Sequence, residues 1–456
     1  MKDLLFYVLM AFVALVPFLL EPNQWAWGFV AAAVFLLLVI FGIEVLLRKR
    51  PCPRNALAFR NLIALIGVIA VYLALLFIPL PTAAVAVLNP EVIAVHRYAG
   101  GVLSDPSWFS LSVDWALALH EWLRVLFYFG LFLLVLFTVT DRTKSKQLAY
   151  VVATVATMQA LWGLFDFFAL RLGHGRAQGM FGNANLYAGF VELGFGITLG
   201  LYVSGLRYRR SGRHWRSVLV RGIDWWMSPR AAMATAVVVA LAALFASGSR
   251  SGTVSAVIAV LAAGAVYVSR TGAGKHRRRF VFTLGTMLLV SLSWLGADVL
   301  MTRVGNTEVA DLSRLSYWRS AAEMVRDYPI VGMGGGAWFN AYPHYRDPEL
   351  RTYSAPRHTH NDYMQMLAEI GIVGFVLFAL LIVIALWHLL SALRERNDPF
   401  VRAIVFGSLT AMLSLLLHGF TDNNFQVTST TAYFYVIMAL GLATARLPRE
   451  SSGGRV

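Results

Sequence analysis

Apolar runs long enough to cross a bilayer recur along almost the whole chain, separated by short polar stretches. Hydrophobic residues make up 58% of the 456 positions and charged residues only 14%, with a mean hydropathy of +0.64. A water-soluble core cannot hide that much apolar surface, so the chain reads as an all-α polytopic membrane protein. About twelve spans are legible, at 4–20, 25–47, 61–80, 116–140, 148–170, 186–204, 231–246, 252–268, 280–300, 364–390, 401–418 and 429–446. Several fall short of the ~20 residues that a straight span needs, so tilt or neighbouring loop residues complete them. The first span lacks a small-residue cleavage site and reads as retained. There is no internal repeat, low-complexity segment or soluble domain, and residues 1–456 form a single integral membrane domain.

Loop charges orient the bundle. The basic stretches Arg48–Arg50, Arg142–Lys146, Arg207–Arg230, Lys275–Arg279 and Arg394–Arg402 all fall on one side. The positive-inside rule makes that side cytoplasmic, with both termini there. The net charge of +15 then follows from topology and from attraction to anionic headgroups of membrane lipids. Nucleic-acid binding is a poor reading, because the basic clusters are short and separated by spans. The single cysteine, Cys52, excludes an internal disulfide. All five lysines (Lys2, Lys49, Lys144, Lys146, Lys275) lie on the cytoplasmic side, whereas the outer side keeps arginines. Arginine offers a planar, permanently charged fork that grips phosphate with two parallel hydrogen bonds.

Two outer loops are long. The first, 81–115, carries Trp108, Phe109 and Trp115, which suit a membrane interface. The second, 301–361 between spans 9 and 10, holds Arg303, Arg314, Arg319, Arg326, Arg346 and Arg351 and no lysine. Residues 311–327 have helical spacing, with Leu312, Leu315, Trp318, Ala322 and Val325 in one apolar stripe, which predicts an amphipathic helix on the outer leaflet. Gly332, Gly334, Gly335 and Gly336 follow it. The loop ends on Arg357-His358-Thr359-His360-Asn361-Asp362, immediately before an apolar span. Two histidines one residue apart can chelate a metal, but no third ligand stands nearby and the arginine field repels a divalent cation. A proton shuttle fits better, since imidazole titrates near neutrality. Asn361 and Asp362 either orient a ring, bind sugar hydroxyls, or cap the next helix.

Three further clusters fall on the same side. Ser247-Gly248-Ser249-Arg250-Ser251-Gly252 is a tight turn between spans 7 and 8 that places Arg250 near the hydrocarbon boundary, which is costly unless it serves a cavity or a partner. Its serines and glycines let an anion approach backbone N–H groups; a plain hairpin with a snorkelling arginine is the other reading. Gly179 to Gly189 contains Asn183 and Asn185, whose amides either contact sugar hydroxyls or cap span 6. His418 and Asp422-Asn423-Asn424, between spans 11 and 12, either complete a polar pocket or terminate two helices. His120, Glu121 and Arg124 stand near the outer end of span 4, with Glu121 and Arg124 spaced as a local helical pair.

These residues, in this order, resemble the O-antigen ligase and O-antigen polymerase superfamily of bacterial membrane glycosyltransferases. The likeness covers the twelve-span plan, with its core at 180–390, and is sharpest over about 180–375: FGNANLYAG, SGSRSG, RLSYWRSA with the following glycines, and HTHNDYMQMLAEIGIVGF. The resemblance implies a GT-C-like membrane-embedded fold in the bacterial inner membrane, with a periplasmic active site and no metal or other cofactor. It implies a donor glycan on undecaprenyl pyrophosphate, and as acceptor either lipid A-core (ligase) or a second lipid-linked glycan (polymerase). It assigns pyrophosphate binding to Arg250 and, by position, Arg314, with Arg357, Ser249, Asn183, Asn185, Asn361 and Asp362 as further substrate-binding candidates. One histidine of the HTHND turn becomes the base, His360 being preferred to His358. A transporter for a polar solute is the reading from another class. It should show inverted repeats and broken helices near mid-membrane, whereas the polar residues here gather at the outer ends of the spans.

Overall fold

The computed structural model describes residues 3–19, 26–49, 51, 53–100, 107–170, 175–205, 228–270, a few positions from 277 to 293, 305–346 and 356–448, the side chains of 56, 99–100 and 305–313 apart. The chain is helical along nearly all of this. The helices are α1 (Leu4–Leu19), α2 (Ala26–Leu46), α3 (Arg60–Phe77), α4 (Thr82–Leu88), α5 (Pro90–Gly100), α6 (Trp115–Thr138), α7 (Arg142–Phe165) and α8 (Ala184–Ser204). They continue with α9 (Pro229–Ser247), α10 (Arg250–Ser269), α11 (Gly305–Asp327), α12 (Trp338–Tyr345), α13 (Asp362–Glu395), α14 (Pro399–His418) and α15 (Thr428–Ala445). Among the described residues ten helices are long and apolar enough to cross a membrane, and α1 is a shorter apolar helix. These eleven match eleven of the twelve expected spans; the ninth, 280–300, lies mostly outside the described residues, as does Cys52. The first long loop is not plain coil. It folds into α4 and α5, closed by a two-residue ladder of Leu80–Pro81 (β1) with Trp108–Phe109 (β2).

The centre of the bundle is α8, α14 and α15, the most thoroughly buried of the spans. Lipid tails are as apolar as leucine, so close approach of small residues drives such packing. Gly196 and Gly200, four apart on α8, face Gly407 on α14. A Cβ on Gly196 would stand 2.7 Å from the Gly407 carbonyl, and one on Gly200 would stand 2.6 Å from that of Ala403. This contact brings Glu192 of α8 against His418 and Ser414 of α14, all three fully buried. Both imidazole and hydroxyl bond the carboxylate, with His418 Nδ1 2.7 Å from Glu192 Oε1 and Ser414 Oγ donating to Oε2.

The glycine-rich stretch of the second loop is stitched to a break in α13. At ~1.5 Å per residue α13 is far longer than a ~30 Å hydrocarbon core, and it is interrupted at Gly371 (φ 62°, ψ −176°). The freed backbone groups find partners in the loop: Met333 N donates to Ala368 O, Gly334 N to Glu369 O, Ile372 N to Pro329 O and Val373 N to Ile330 O. A Cβ on Gly371 would meet the Ile330 carbonyl at 2.3 Å, and its backbone angles belong almost only to glycine, at a cost of about 1–3 kcal/mol for any other residue. Gly371→Ala should therefore lower the thermal midpoint in detergent by several degrees or prevent accumulation. Gly67→Ala, at a position with nothing within 4 Å, should match the parent. Equal stability of the two variants would show that the stitch contributes little.

The helix expected at 311–327 is present within α11, but its buried face is rotated. Ser316, Ser320, Ala321 and Met324 point inward, while Leu315 is 45% exposed. The serines are tolerated there because Ser320 Oγ donates to the carbonyls of Tyr345 (2.7 Å) and Ser316 (3.2 Å), which satisfies a buried hydroxyl. This face packs on a small cluster of Val92, Met333, Trp338, Tyr342 and Ala368, so the loop has a core of its own.

Candidate active site

Local sequence rules shape the HTHND turn. Thr359, fully buried, accepts a hydrogen bond from Asn361 N at 3.0 Å and donates to Asn361 O at 2.6 Å. Asn361 is the N-cap of α13, its Oδ1 accepting from Tyr363 N and Met364 N at 3.1 Å each. Between them His360 takes a positive φ of 53°, uncommon for a residue with a side chain. His360 Nδ1 lies 3.0 Å from Asp422 Oδ1. Its side chain is 30% exposed, whereas that of Asp422 is fully buried.

With His360, Asp422 gathers four partners, three of them from other segments. Asn185 Nδ2 donates to its Oδ2 at 2.7 Å, Asn423 N donates to its Oδ1 at 3.0 Å, and Arg314 Nη2 approaches Oδ2 at 3.8 Å. Asn185 Oδ1 in turn accepts from Arg176 Nη2 at 2.6 Å, and Arg176 Nε donates to the Ser247 carbonyl at 2.7 Å. Burial by itself would raise the Asp422 carboxyl, but the His360 hydrogen bond and the nearby His360, His418 and Arg314 outweigh it and hold it down at about 2. Asp422 is thus a carboxylate at any working pH. A carboxylate only accepts, so His360 Nδ1 carries the hydrogen and Nε2, on the far side of the ring, is left as the basic nitrogen.

His358 has a different environment. Its Nδ1 lies 3.2 Å from Gln365 Nε2, whose amide is oriented by Thr359 N donating to Oε1 and by donation to Glu369 Oε1. Burial, then the nearby Arg124 guanidinium and His360 imidazole, push the His358 imidazole down to about 4, which leaves it neutral and weakly basic. The two histidines turn to separate partners and do not form a chelating pair. Among the described residues no three His, Cys, Asp or Glu side chains come together as a metal cage.

A cavity of about 290 Å³, lined in part by Asp362, opens between α3, α6, α13 and α15. Its walls are apolar, with Leu73, Tyr128, Phe378 and Phe434 among them, and its polar residues Glu121, Arg124 and Glu369 lie near Asp362. Glu121 and Arg124 are paired at 2.6 Å, as their spacing predicts, and Arg124 also donates to Gln426 Oε1 at 3.2 Å.

Residues 235–379 match the family model described as O-antigen ligase, a segment running from α9 through the Arg250 turn, the long loop and the HTHND turn into α13. Over that segment the chain is similar to O-antigen ligases. No curated protein matches it. The matched segment contains Arg250, Arg314, Arg357, His358, His360, Asn361 and Asp362. It omits Arg176, Asn183, Asn185 and Asp422, which come from the α7–α8 connection, the start of α8 and the α14–α15 connection.

The structure brings His360, Arg314, Asn185 and the Arg250 turn together at one end of the bundle. Other candidates already have local partners. Asn183 caps α8, accepting from Asn185 N at 2.8 Å, and buried Ser249 caps α10, accepting from Gly252 N at 3.3 Å. Asp362 is buried with its carboxylate accepting from Phe425 N at 3.2 Å, and Arg357 is exposed. Arg303 and Arg351 lie outside the described residues. Asp422 and Arg176 were not among the assigned site residues. The signal for Asp422 was present as an acidic residue in an Asp-Asn-Asn turn between two apolar spans. Arg176 stood out only as one outer arginine among several.

Proposed function

We propose that this chain is a ligase-type glycosyltransferase that moves a glycan from undecaprenyl pyrophosphate to a hydroxyl of lipid A-core, on the periplasmic face of the bacterial inner membrane. The observation that carries this reading is a His360 ring held through Nδ1 by a buried Asp422, beside a field of arginines and no lysine. The acceptor hydroxyl gives its proton to His360 Nε2 as its oxygen attacks the anomeric carbon. The bond from that carbon to the pyrophosphate oxygen breaks, and charge gathering on the departing pyrophosphate is met by Arg250 at the start of α10 and by Arg314. His360 is the base in preference to His358, whose imidazole is pushed down to about 4 and engaged by Gln365. The apolar cavity lined by Asp362 offers room for a lipid chain, as expected if lipid-borne substrates meet near His360.

Deleting the gene and separating the surface polysaccharide on a gel tests the reading. Loss of all polymer from lipid A-core is the ligase outcome. A single capped repeat would make the protein a polymerase that joins lipid-linked repeats, and unchanged polysaccharide would overturn both. With purified protein, Arg250→Ala and Arg314→Ala should each weaken donor binding by about a hundredfold, the effect of losing a charged contact of ~2–3 kcal/mol. Arg250→Lys should rescue poorly, because an ammonium cannot reproduce the fork. Full donor affinity in Arg250→Lys would move the clamp elsewhere.

A further inference from the structure

A continuous path of polar contacts joins the Arg250 turn to His360, and it runs through three residues outside the segment that the family model matches, Arg176, Asn185 and Asp422. Arg176 lies against the turn: its Nε donates to Ser247 O at 2.7 Å, and a Cβ on Gly248 would sit 3.2 Å from that nitrogen. Arg176 Nη2 then donates to Asn185 Oδ1 at 2.6 Å, Asn185 Nδ2 donates to Asp422 Oδ2 at 2.7 Å, and Asp422 Oδ1 faces His360 Nδ1 at 3.0 Å. The chemistry fixes the direction of every link. A guanidinium only donates and a carboxylate only accepts, so the Asn185 amide has a single orientation that satisfies both neighbours. Arg176 is exposed beside the turn.

We propose that Arg176 and Asn185 are positioning residues that couple occupation of the Arg250 turn by the donor's pyrophosphate to the orientation of His360. This rests on the transferase reading above. A phosphate oxygen at the turn gives Arg176 an anionic partner and fixes its guanidinium. Fixed in that way, Arg176 holds the Asn185 amide, the amide holds Asp422 Oδ2, and Asp422 Oδ1 is kept in line with His360 Nδ1. The base is thereby aligned when donor is bound and less well aligned when the turn is empty.

Turnover by the purified full-length chain gives the first test. Asn185→Ala should lower kcat about tenfold, the equivalent of one hydrogen bond, with little change in the donor KM. Arg176→Ala should lower kcat by a similar factor and also raise the donor KM. The double variant should have the kcat of Asn185→Ala alone, since one path has been cut twice. Multiplying kcat losses, or an unchanged kcat in Asn185→Ala, would overturn the coupling. The second test needs no activity and so separates this proposal from the transferase reading. The rate at which diethyl pyrocarbonate modifies His360, mapped by mass spectrometry, should change severalfold when inorganic pyrophosphate is added to the parent protein, and should not change in Asn185→Ala. No response in the parent, or the same response in Asn185→Ala, sinks the proposal whatever the turnover assays show.

Discussion

His360→Ala should leave the protein folded, inserted and able to bind its lipid-linked donor, yet cut glycan transfer by ~10²-fold or more, as loss of a general base does. The side chain is 30% exposed, hydrogen-bonded to Asp422 and beside the Tyr317 ring, so its removal opens no core cavity. The controlled comparison is His358→Ala, one residue pair away in the same turn. That ring is neutral and linked to Gln365, and its loss should cost far less transfer. Single-turnover assays with donor prebound distinguish a chemical defect from a binding defect. If His358→Ala proves the more damaging of the two, the assignment of the base is reversed.

Asp422→Asn should be nearly as severe, although Asp422 is fully buried and touches no substrate. An asparagine keeps the volume but presents an amide where His360 needs an acceptor that also stabilises the imidazolium formed during transfer. Losses of about 10²–10⁴-fold accompany such a change when a carboxylate orients a catalytic histidine. The same substitution removes the anion facing Arg314 at 3.8 Å and the acceptor of Asn185 at 2.7 Å, so some loss of thermal stability should accompany it. Because the carboxyl is held at about 2, below the ordinary value near 4, the stability it contributes is fully present above pH ~4 and is lost only as the pH falls through about 2. Asp422→Asn should therefore flatten that acid limb of the stability profile and leave the neutral region parallel to the parent. A variant with parental turnover would show that His360 is oriented by the backbone turn alone.

The spans were readable from apolar runs because bilayer thickness sets a length that sequence reports directly. The site was readable only in part. Asn183, Ser249 and Asn361 are residue types that serve equally as helix caps and as ligands, and capping is a local interaction that each of them makes here. His358 and His360 are equivalent in a linear reading; a positive φ and the buried Thr359 hydroxyl separate them. Asp422 acquires its meaning from residues 62 and 237 positions away, a relation that periodicity cannot carry. The α11 stripe was misplaced because inward serines look polar until their hydroxyls find carbonyls.

The stitch between the glycine-rich stretch and the broken turn of α13 has a consequence for how such a loop can vary. Its four backbone hydrogen bonds pair Pro329, Ile330, Met333 and Gly334 with fixed positions on α13, so this stretch has a register, much as a strand in a sheet does. One residue inserted or deleted between Pro329 and Gly334 would slide every pairing by a position and carry a side chain into the space where Gly371 and Ile330 touch. Changes of loop length must be absorbed upstream of α11 or downstream of α12, leaving this segment as a ruler that keeps the distance from α11, with its Arg314, to the start of α13 constant.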